Sequence, residues 1–377
     1  MIKTILENSG KKVFQNESGA NLLNGIASTM LLHSDTLLTL NYDYAIFEID
    51  ENTLPLILNR LTPDYLILLN LFRDQLDRYG EVNIIADKWK LAIQQLKSKT
   101  TLILNADDPQ IAYLGQERKV NTFYFGLDDL KLSQKTYQHA VDSTYCPNCS
   151  TKLTYETVYY SHLGKWQCPN CKKKRPKLSI STASFYPLTG IYNKYNTNTA
   201  VLFAKLNNIR SKTIEQSLHT FKPVFGRQEV IDINNKQVEI FLSKNPTSFN
   251  ESLRTVSELG AKNILFVLND RIPDGRDVSW IWDVNFEEFI SKFKNIFVSG
   301  DRCFDMALRI KYANSSKNQK SKIKNQKYNS KLKIEEDLKK AIALALKSAN
   351  NSEILYILPT YSAMLEVRKI LTGKKIL

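Results

Sequence analysis

Four of the five cysteines fall in two short motifs, Cys146-Pro147-Asn148-Cys149 and Cys168-Pro169-Asn170-Cys171, with eighteen residues between them. A C-x-x-C turn aims two thiolates at one point. Two such turns facing each other supply four sulfurs for a tetrahedral Zn²⁺. The intervening segment is rich in strand formers (Leu153, Tyr155, Val158, Tyr159, Tyr160) and can fold back as a hairpin. Disulfides or a redox dithiol fit less well, because the paired spacing suits a metal and Met1–Leu6 lacks the apolar core of a signal peptide. A closed Cys₄ site leaves no coordination position for water or substrate, so the ribbon is expected to be structural and the chemistry to lie elsewhere. The fifth cysteine, Cys303, has no histidine near it and reads as buried and structural. His33, His139, His162 and His219 are scattered and carry no motif.

The next candidates are acids and amides at the ends of apolar runs. Tyr44-Ala45-Ile46-Phe47 ends in Glu48-Ile49-Asp50-Glu51, Tyr65-Leu66-Ile67-Leu68-Leu69 ends in Asn70, and Thr101-Leu102-Ile103-Leu104 ends in Asn105-Ala106-Asp107-Asp108. Buried parallel strands read as such runs, and ligands bind at their carboxyl ends. Further strands are expected at Val13-Phe14 and Thr122–Gly126, with helices over 1–12 (ending at Gly10), 22–32 and 84–96. Strands alternating with helices predict a parallel α/β sheet. After the ribbon, Asn193 and Asn196 lie three apart at the start of a helix and share one face of its first turn. An N-cap would explain one of them but not the pair.

Phe221–Glu229 reads as a linker into a second α/β domain. There, strands are expected at Val238–Leu242, Asn263–Asp270, Asn295–Gly300 and Ile354–Leu358, and helices at Phe249–Leu259, Cys303–Tyr312 and Tyr361–Ile370. The acid-rich loop Asp274-Gly275-Arg276-Asp277-Val278-Ser279-Trp280-Ile281-Trp282-Asp283 follows the second of these strands. Residues 314–333 are low-complexity Lys/Asn/Ser and are expected to be a disordered insertion.

With 377 residues, 43% of them hydrophobic and 24% charged, the chain is of ordinary globular composition and long enough for two or three domains. No apolar run is long enough to span a membrane, and a cytoplasmic location is expected. The net charge of +14 points to nucleic acid, an anionic membrane or phosphate-bearing substrates. Much of the excess is local, in Lys172–Lys177 and Lys317–Lys333.

The ordered set of motifs resembles the Mur ligases. The pieces are Ser18-Gly19-Ala20-Asn21-Leu22, Glu48–Glu51, the run Asn70-Leu71-Phe72-Arg73-Asp74-Gln75-Leu76-Asp77-Arg78-Tyr79-Gly80-Glu81, and Asn105–Pro109. The inserted Cys₄ ribbon follows, then Gly190–Asn196, Gly226-Arg227-Gln228-Glu229, Lys244-Asn245-Pro246 and Asp274–Asp283. Together they cover nearly the whole chain. The ribbon and the Asp274–Asp283 loop are similar to the branch of the family that amidates the D-glutamate of lipid II to D-isoglutamine. The resemblance implies an α/β fold: a Mur-ligase-like central parallel-sheet ATPase domain over residues 1–220 with the zinc ribbon inserted at 143–175, and a smaller α/β C-terminal domain over 221–377.

The same resemblance implies ATP, Mg²⁺ and structural Zn²⁺, with an acyl phosphate that ammonia attacks. It makes Glu48 the Mg²⁺-binding acid, a hard ligand for a hard cation, and Asn193 and Asn196 the adenine contacts. Asn105, Asp107 and Asp108 would belong to the same nucleotide edge. Arg227 would sit at the hinge, and Lys244 and Asn245 in the loop that closes over ATP. The ammonia would come from a GatD-type glutaminase partner, whose cysteine and histidine would be completed by Asp277 or Asp283; the sequence does not choose between them. Trp280 and Trp282 would pack in the core or anchor that interface. Lipid II places the work at the cytoplasmic membrane face. One departure is that no G-x-x-x-x-G-K-[ST] phosphate loop occurs. The expectation is an N-terminally incomplete central domain, because the other nucleotide-site residues are present; the alternative is a scaffold for the glutaminase. Another Mur-type ligase, adding an amino acid to a peptidoglycan precursor or a glutamate to folate, is a rival that the ribbon and the Asp274–Asp283 loop argue against, and a zinc-ribbon nucleic-acid-binding protein is a further one. It leaves the α/β motifs unexplained, and no nucleic-acid partner is expected.

Overall fold

The computed structural model describes residues 1–17, 20–72, 82–97, 99–116, 121–134, 141–223, 227–233, 235–315, 331–350 and 353–373. Ser18, Gly19, the Arg73–Glu81 motif, Gly226 and most of the 314–333 insertion lie outside these residues, as does the side chain of Arg227. The described residues fall into two compact units, one within Met1–Lys222 and one within Pro223–Leu377.

The first unit runs α1 (Ile2–Asn8), β1 (Val13–Gln15), α2 (Leu23–His33), β2 (Tyr44–Ile46), α3 (Leu54–Leu58), β3 (Tyr65–Leu68), α4 (Val82–Gln94), β4 (Thr101–Asn105), α5 (Pro109–Gln116) and β5 (Thr122–Phe125). It continues with the ribbon strands β6 (Thr154–Tyr160) and β7 (Leu163–Gln167), then α6 (Ile191–Leu206) and α7 (Ser211–His219). Strands β1 and β2 pair in parallel, and β3, β4 and β5 form a second parallel sheet in that order. Leu102, Ile103 and Leu104 of β4 are all buried. Helices cover both faces of this strand, so its sequence is a continuous apolar run and does not alternate. The hydroxyls of Tyr44 and Tyr65 both donate to Asn207 Oδ1, at 2.9 and 3.4 Å, just past the end of α6. The two sheets therefore start on one edge of the unit and end on the other. At the far edge Asn16 clamps the loops together: its amide donates to the carbonyls of Ala20 and Glu48, and its Oδ1 accepts from Glu48 N, all at 2.8 Å.

The second unit runs β8 (Arg227–Ile233), β9 (Lys236–Phe241), α8 (Pro246–Glu258), β10 (Asn263–Val267), a 3-10 turn at Ser279–Asp283, α9 (Phe286–Phe289), β11 (Asn295–Ser299), α10 (Cys303–Ser315), β12 (Leu332–Ile334), α11 (Leu338–Ser348), β13 (Leu355–Pro359) and α12 (Tyr361–Thr372). Its sheet has the order β12-β11-β10-β13-β9-β8, parallel except for the hairpin of β8 on β9. Successive side chains of a strand face opposite ways. Ile264 and Phe266 accordingly pack with α8, α9 and α10, and Leu265 and Val267 with α11 and α12. Helices on both faces of a mostly parallel sheet make this an open α/β unit. The Phe221–Glu229 linker expected from sequence is shorter than that, because Arg227–Glu229 already form β8. Asn314 and Ser315 extend α10, and Leu332-Lys333 belong to β12. Among the described residues, no helix is long and apolar enough to cross a membrane.

Candidate metal centre and sheet-edge site

The four cysteine sulfurs all lie within 4.8 Å of one another, with Cys146–Cys171 and Cys149–Cys168 each at 3.5 Å. A disulfide needs about 2.05 Å. Four sulfurs about 2.3 Å from a tetrahedral zinc would stand about 3.8 Å apart, so the donor set fits such an ion. The two knuckles are built alike. Cys146 N donates to Thr151 O and Cys168 N to Lys173 O, both at 2.8 Å. Ser150 and Lys172, each just after the second cysteine, take positive φ values of 56° and 60°. Hydrogen bonds from Thr151 pull Cys149 down to about 6, and the Lys173 backbone lowers Cys171. Burial pushes Cys146 up to about 12. The thiolate form that a metal requires is thus favoured on the half-buried pair, Cys149 and Cys171.

The other end of the ribbon is sunk into the first unit. Tyr159, Tyr160 and Leu163 belong to the core that also holds Ile103, Phe125 and α6. Trp166 Nε1 donates to Ala106 O at 2.9 Å, and Gly164 N to Asp107 O at 3.0 Å. Asp107 is the hub of this junction. It accepts from Leu127 N at 2.9 Å, from Tyr195 Oη at 2.6 Å and from Arg175 Nε at 2.5 Å. Burial pushes its carboxyl up to about 6, while Arg175 and Tyr195 pull the other way. Asp108 caps α5 by accepting from Gln110 N (3.0 Å) and Ile111 N (3.3 Å), and its other oxygen holds Leu71 N at 2.9 Å. His162, at the ribbon tip, places Nε2 3.2 Å from that same oxygen, with both side chains fully buried. The Phe72 ring lies 4.8 Å away.

These contacts locate several expected residues. Asn105 donates to Leu69 O at 2.8 Å and accepts from Asp107 N at 2.9 Å. Asn105 and Asp107 are wholly buried, so they lie beneath the sheet edge and their side chains bond to protein. Glu48 is exposed at the edge itself, just beyond β2, and its carboxylate has no protein partner among the described residues. Asn193 is not a helix cap, since Gly190 with φ 88° takes that position. Its amide donates to Thr189 O at 2.6 Å, and Asn196 Nδ2 approaches its Oδ1 at 3.4 Å. The pair does share one face of the first turn of α6. Arg175 and His162 were not singled out from the sequence. Arg175 sits in the basic run Lys172–Lys177, where it shows only as local positive charge, and His162 shows only as a polar residue between the apolar Tyr160 and Leu163.

In the second unit Asn245 caps α8. Its Oδ1 accepts from Ser248 N at 2.8 Å, and Ser248 Oγ accepts from Asn245 N and from Lys244 N, both at 3.1 Å. This reciprocal capping box accounts for the asparagine structurally. Lys244 is exposed. Within the acidic loop the aspartates differ. Asp274 is buried and bonds Ser362 at the start of α12, through the backbone N at 2.8 Å and through the hydroxyl. Asp277 is exposed, and the Ser279 N–H holds it below the usual carboxylate range. Asp283 is half-buried at the end of the 3-10 turn. Arg309 braces that turn, donating to Ile281 O at 3.2 Å and to Glu287 at 2.7 Å. Trp280 packs against Phe249, whereas Trp282 is exposed and sits edge-on to Tyr312 at 5.7 Å.

The Mur ligase middle domain family matches residues 1–204, and the family described as MurT ligase C-terminal matches residues 242–364. A subunit MurT of the lipid II isoglutaminyl synthase (glutamine-hydrolyzing) of Streptococcus pneumoniae (strain ATCC BAA-255 / R6) is 31% identical, over 99% of this chain and 83% of the relative. The protein of the same name from Staphylococcus aureus (strain COL) is 30% identical, over 83% of this chain and 74% of the relative. Among solved structures, a pseudomurein peptide ligase type C from Methanothermus fervidus matches with a TM-score of 0.69 and 22% identity, over 99% of this chain and 75% of the other. A ligase fold of open parallel sheets with an inserted four-cysteine ribbon is thereby defined, and the chain belongs to the Mur ligase family. Within the family, its second unit and its relatives place it in the MurT branch.

Proposed function

We propose that the chain is the ligase subunit of a lipid II isoglutaminyl synthase, the activity named for its relatives. The reading is carried by one coincidence: the MurT-type match at 242–364 contains the loop that presents Asp277 just before, and Asp283 at the end of, a braced 3-10 turn. In this reading the α-carboxylate of D-glutamate in lipid II takes the γ-phosphoryl group of ATP, giving an acyl phosphate and ADP. Ammonia then attacks the carbonyl carbon, phosphate leaves, and the amide remains. Glu48, exposed and without a side-chain partner among the described residues, would hold Mg²⁺, which when bound spreads the charge of the phosphates. Asn193 and Asn196 would face the adenine. Asn105 and Asp107 would support that edge from below, and Arg227, Lys244 and Asn245 would belong to the closing side. The four cysteines would hold structural zinc. Ammonia would come from a GatD-type glutaminase, and Asp277 or Asp283 would orient the partner's catalytic histidine, as the acid of a Cys-His-Asp arrangement does. Because the substrate carries a lipid, the work would be done at the cytoplasmic face of the membrane.

The test is amidation of lipid II by the chain together with its glutaminase, with glutamine or ammonium as nitrogen source. ATP-dependent amidation from both sources is expected. Asp277→Asn or Asp283→Asn should abolish the glutamine-fed reaction and spare the ammonium-fed one. Stimulation of the glutaminase with no ATP turnover would replace this reading with a scaffold role, and no effect on either activity would end it.

A further inference from the structure

The loop between α2 and β2 is built in an unusual way. Leu31, Leu32, Leu37 and Leu38 are 63%, 82%, 81% and 71% exposed. Contiguous exposed leucines on a soluble surface mark an interaction site. Leu31 and Leu32 end α2, and the loop that carries Leu37 and Leu38 is held firmly. Asp35 Oδ1 accepts from Leu37 N and Thr39 N, both at 2.9 Å, its other oxygen takes the Thr39 hydroxyl, and its backbone N donates to Thr39 O at 3.0 Å. Below the tip, His33 stacks on Phe14 at 4.7 Å and Tyr42 meets Phe14 edge-on at 4.8 Å. Leu38 has φ 58°, a left-handed conformation that costs a leucine and suits a glycine. A bulky apolar side chain is therefore carried at the turn where a glycine would relieve the backbone.

The surroundings of the loop indicate what covers it. It lies at the edge where the strands of the first unit begin, opposite Glu48. The segments entering β1, β3 and β4 at that edge bring exposed Lys11 and Lys12, Arg60, and Lys97 with Lys99. Asp35, Asp43 and Asp64 are the acids in the segments entering β1 to β4. Asp35 is spent on the turn, Asp43 lies 3.7 Å from Lys11, and Asp64 lies 3.9 Å from Lys99. Just past α6, Arg210 and Lys212 add exposed positive charge beside Asn207, which binds the tyrosines of the same edge. An apolar tip rising from a positive face matches the interface of an anionic bilayer: leucines enter the acyl boundary while lysine and arginine meet the head groups.

We propose that the strand-entry edge of the first unit docks on an anionic lipid surface, with Leu37 and Leu38 as the inserted tip. The proposal deepens the function above, because the lipid-linked substrate assigned there resides in such a surface. Six residues of extended chain, Asp43 to Glu48, separate the two edges, about 17 Å at ~3.3 Å per residue. The sheet-edge site would then stand about that far above the bilayer surface, a height that the polar part of an anchored substrate has to reach.

The test is binding of the full chain to vesicles made of equal parts phosphatidylcholine and phosphatidylglycerol, and to vesicles of phosphatidylcholine alone. Salt-sensitive binding to the anionic vesicles is expected. The Leu37→Ser/Leu38→Gly variant should bind them roughly tenfold or more weakly, and it should melt no lower than the parent because Leu38→Gly removes a strained φ. Lys12→Glu/Arg60→Glu should weaken binding and flatten its salt dependence. Equal binding to both vesicle types, or undiminished binding by the leucine variant, would overturn the proposal. So would a leucine-dependent dimer seen by sedimentation with no vesicle binding, which would mark the patch as a self-association surface. Amidation of lipid II in detergent micelles separates the two readings. Micellar activity that survives in the leucine variant tests the function alone, and its absence in the parent would defeat the function and leave the vesicle result standing.

Discussion

At the scale of single residues, Glu239 makes a sharp prediction. It lies in the middle of β9, in register with Tyr356 of β13, and is buried with no protein partner among the described residues. Burial pushes its carboxyl from an ordinary 4.5 up to about 7. A carboxyl raised in the folded state favours folding while it stays protonated. That contribution is complete below the unfolded value and is lost as pH rises through the folded one. Glu239→Gln removes the titration and keeps the shape. The variant should exceed the parent in stability by on the order of 2 kcal/mol at about pH 8, and the gap should close at about pH 5. Denaturant melts at the two pH values measure this, and a gap that does not vary with pH would refute it. The same scale shows where sequence reading stops. Asp107 was legible as a polar residue at a strand end. Its role was not, because its partners Arg175 and Tyr195 lie 68 and 88 positions away. Asn245 had a local meaning that could have been read, since Asn-Pro-x-Ser before a helical stretch is a capping pattern.

At the scale of elements, the ribbon was the most legible part of the chain, because C-x-x-C spacing is local and its chemistry is narrow. The anchoring of its tip was not legible. Tyr159, Tyr160 and Leu163 alternate poorly as a hairpin in water, and only the packed unit shows that they are buried among α6 and β4. This arrangement makes the metal matter beyond the knuckles. A structural zinc contributes folding free energy of roughly 10 kcal/mol or more in isolated zinc peptides. Here part of that would be transmitted through Arg175 and Trp166 to Asp107 and Ala106. Removing the metal with a strong chelator, or replacing Cys149 by Ser, should release one zinc per chain by elemental analysis. It should also lower the melting temperature of the first unit by several degrees, at roughly 2–4 °C per kcal/mol for a unit of this size. A protein that holds no zinc, or that loses it with unchanged melting, would show that the tip alone fixes the ribbon.

At the scale of the whole molecule, the alternation of strands and helices was legible in both halves, because buried parallel strands announce themselves as apolar runs. Sheet order was not, because pairing across β13 and β10 is set by packing between distant segments. β8 was hidden because Arg227–Ile233 mixes charges with apolar residues as an edge strand does. Each apolar core of the described residues lies wholly within one unit. The second unit covers both faces of its own sheet, with α8, α9 and α10 on one side and α11 and α12 on the other. A unit that buries both faces of its sheet without help should fold without help. A fragment spanning Pro223–Leu377 is therefore expected to unfold in one cooperative transition, with a calorimetric enthalpy on the order of 100 kcal/mol at ~0.7 kcal/mol per residue. In the full chain the same transition should persist when chelation shifts the transition of the first unit. A fragment that shows no cooperative melt, or a full chain whose entire unfolding moves with the metal, would mean that the two units are one thermodynamic body and that the second half takes its stability from the first.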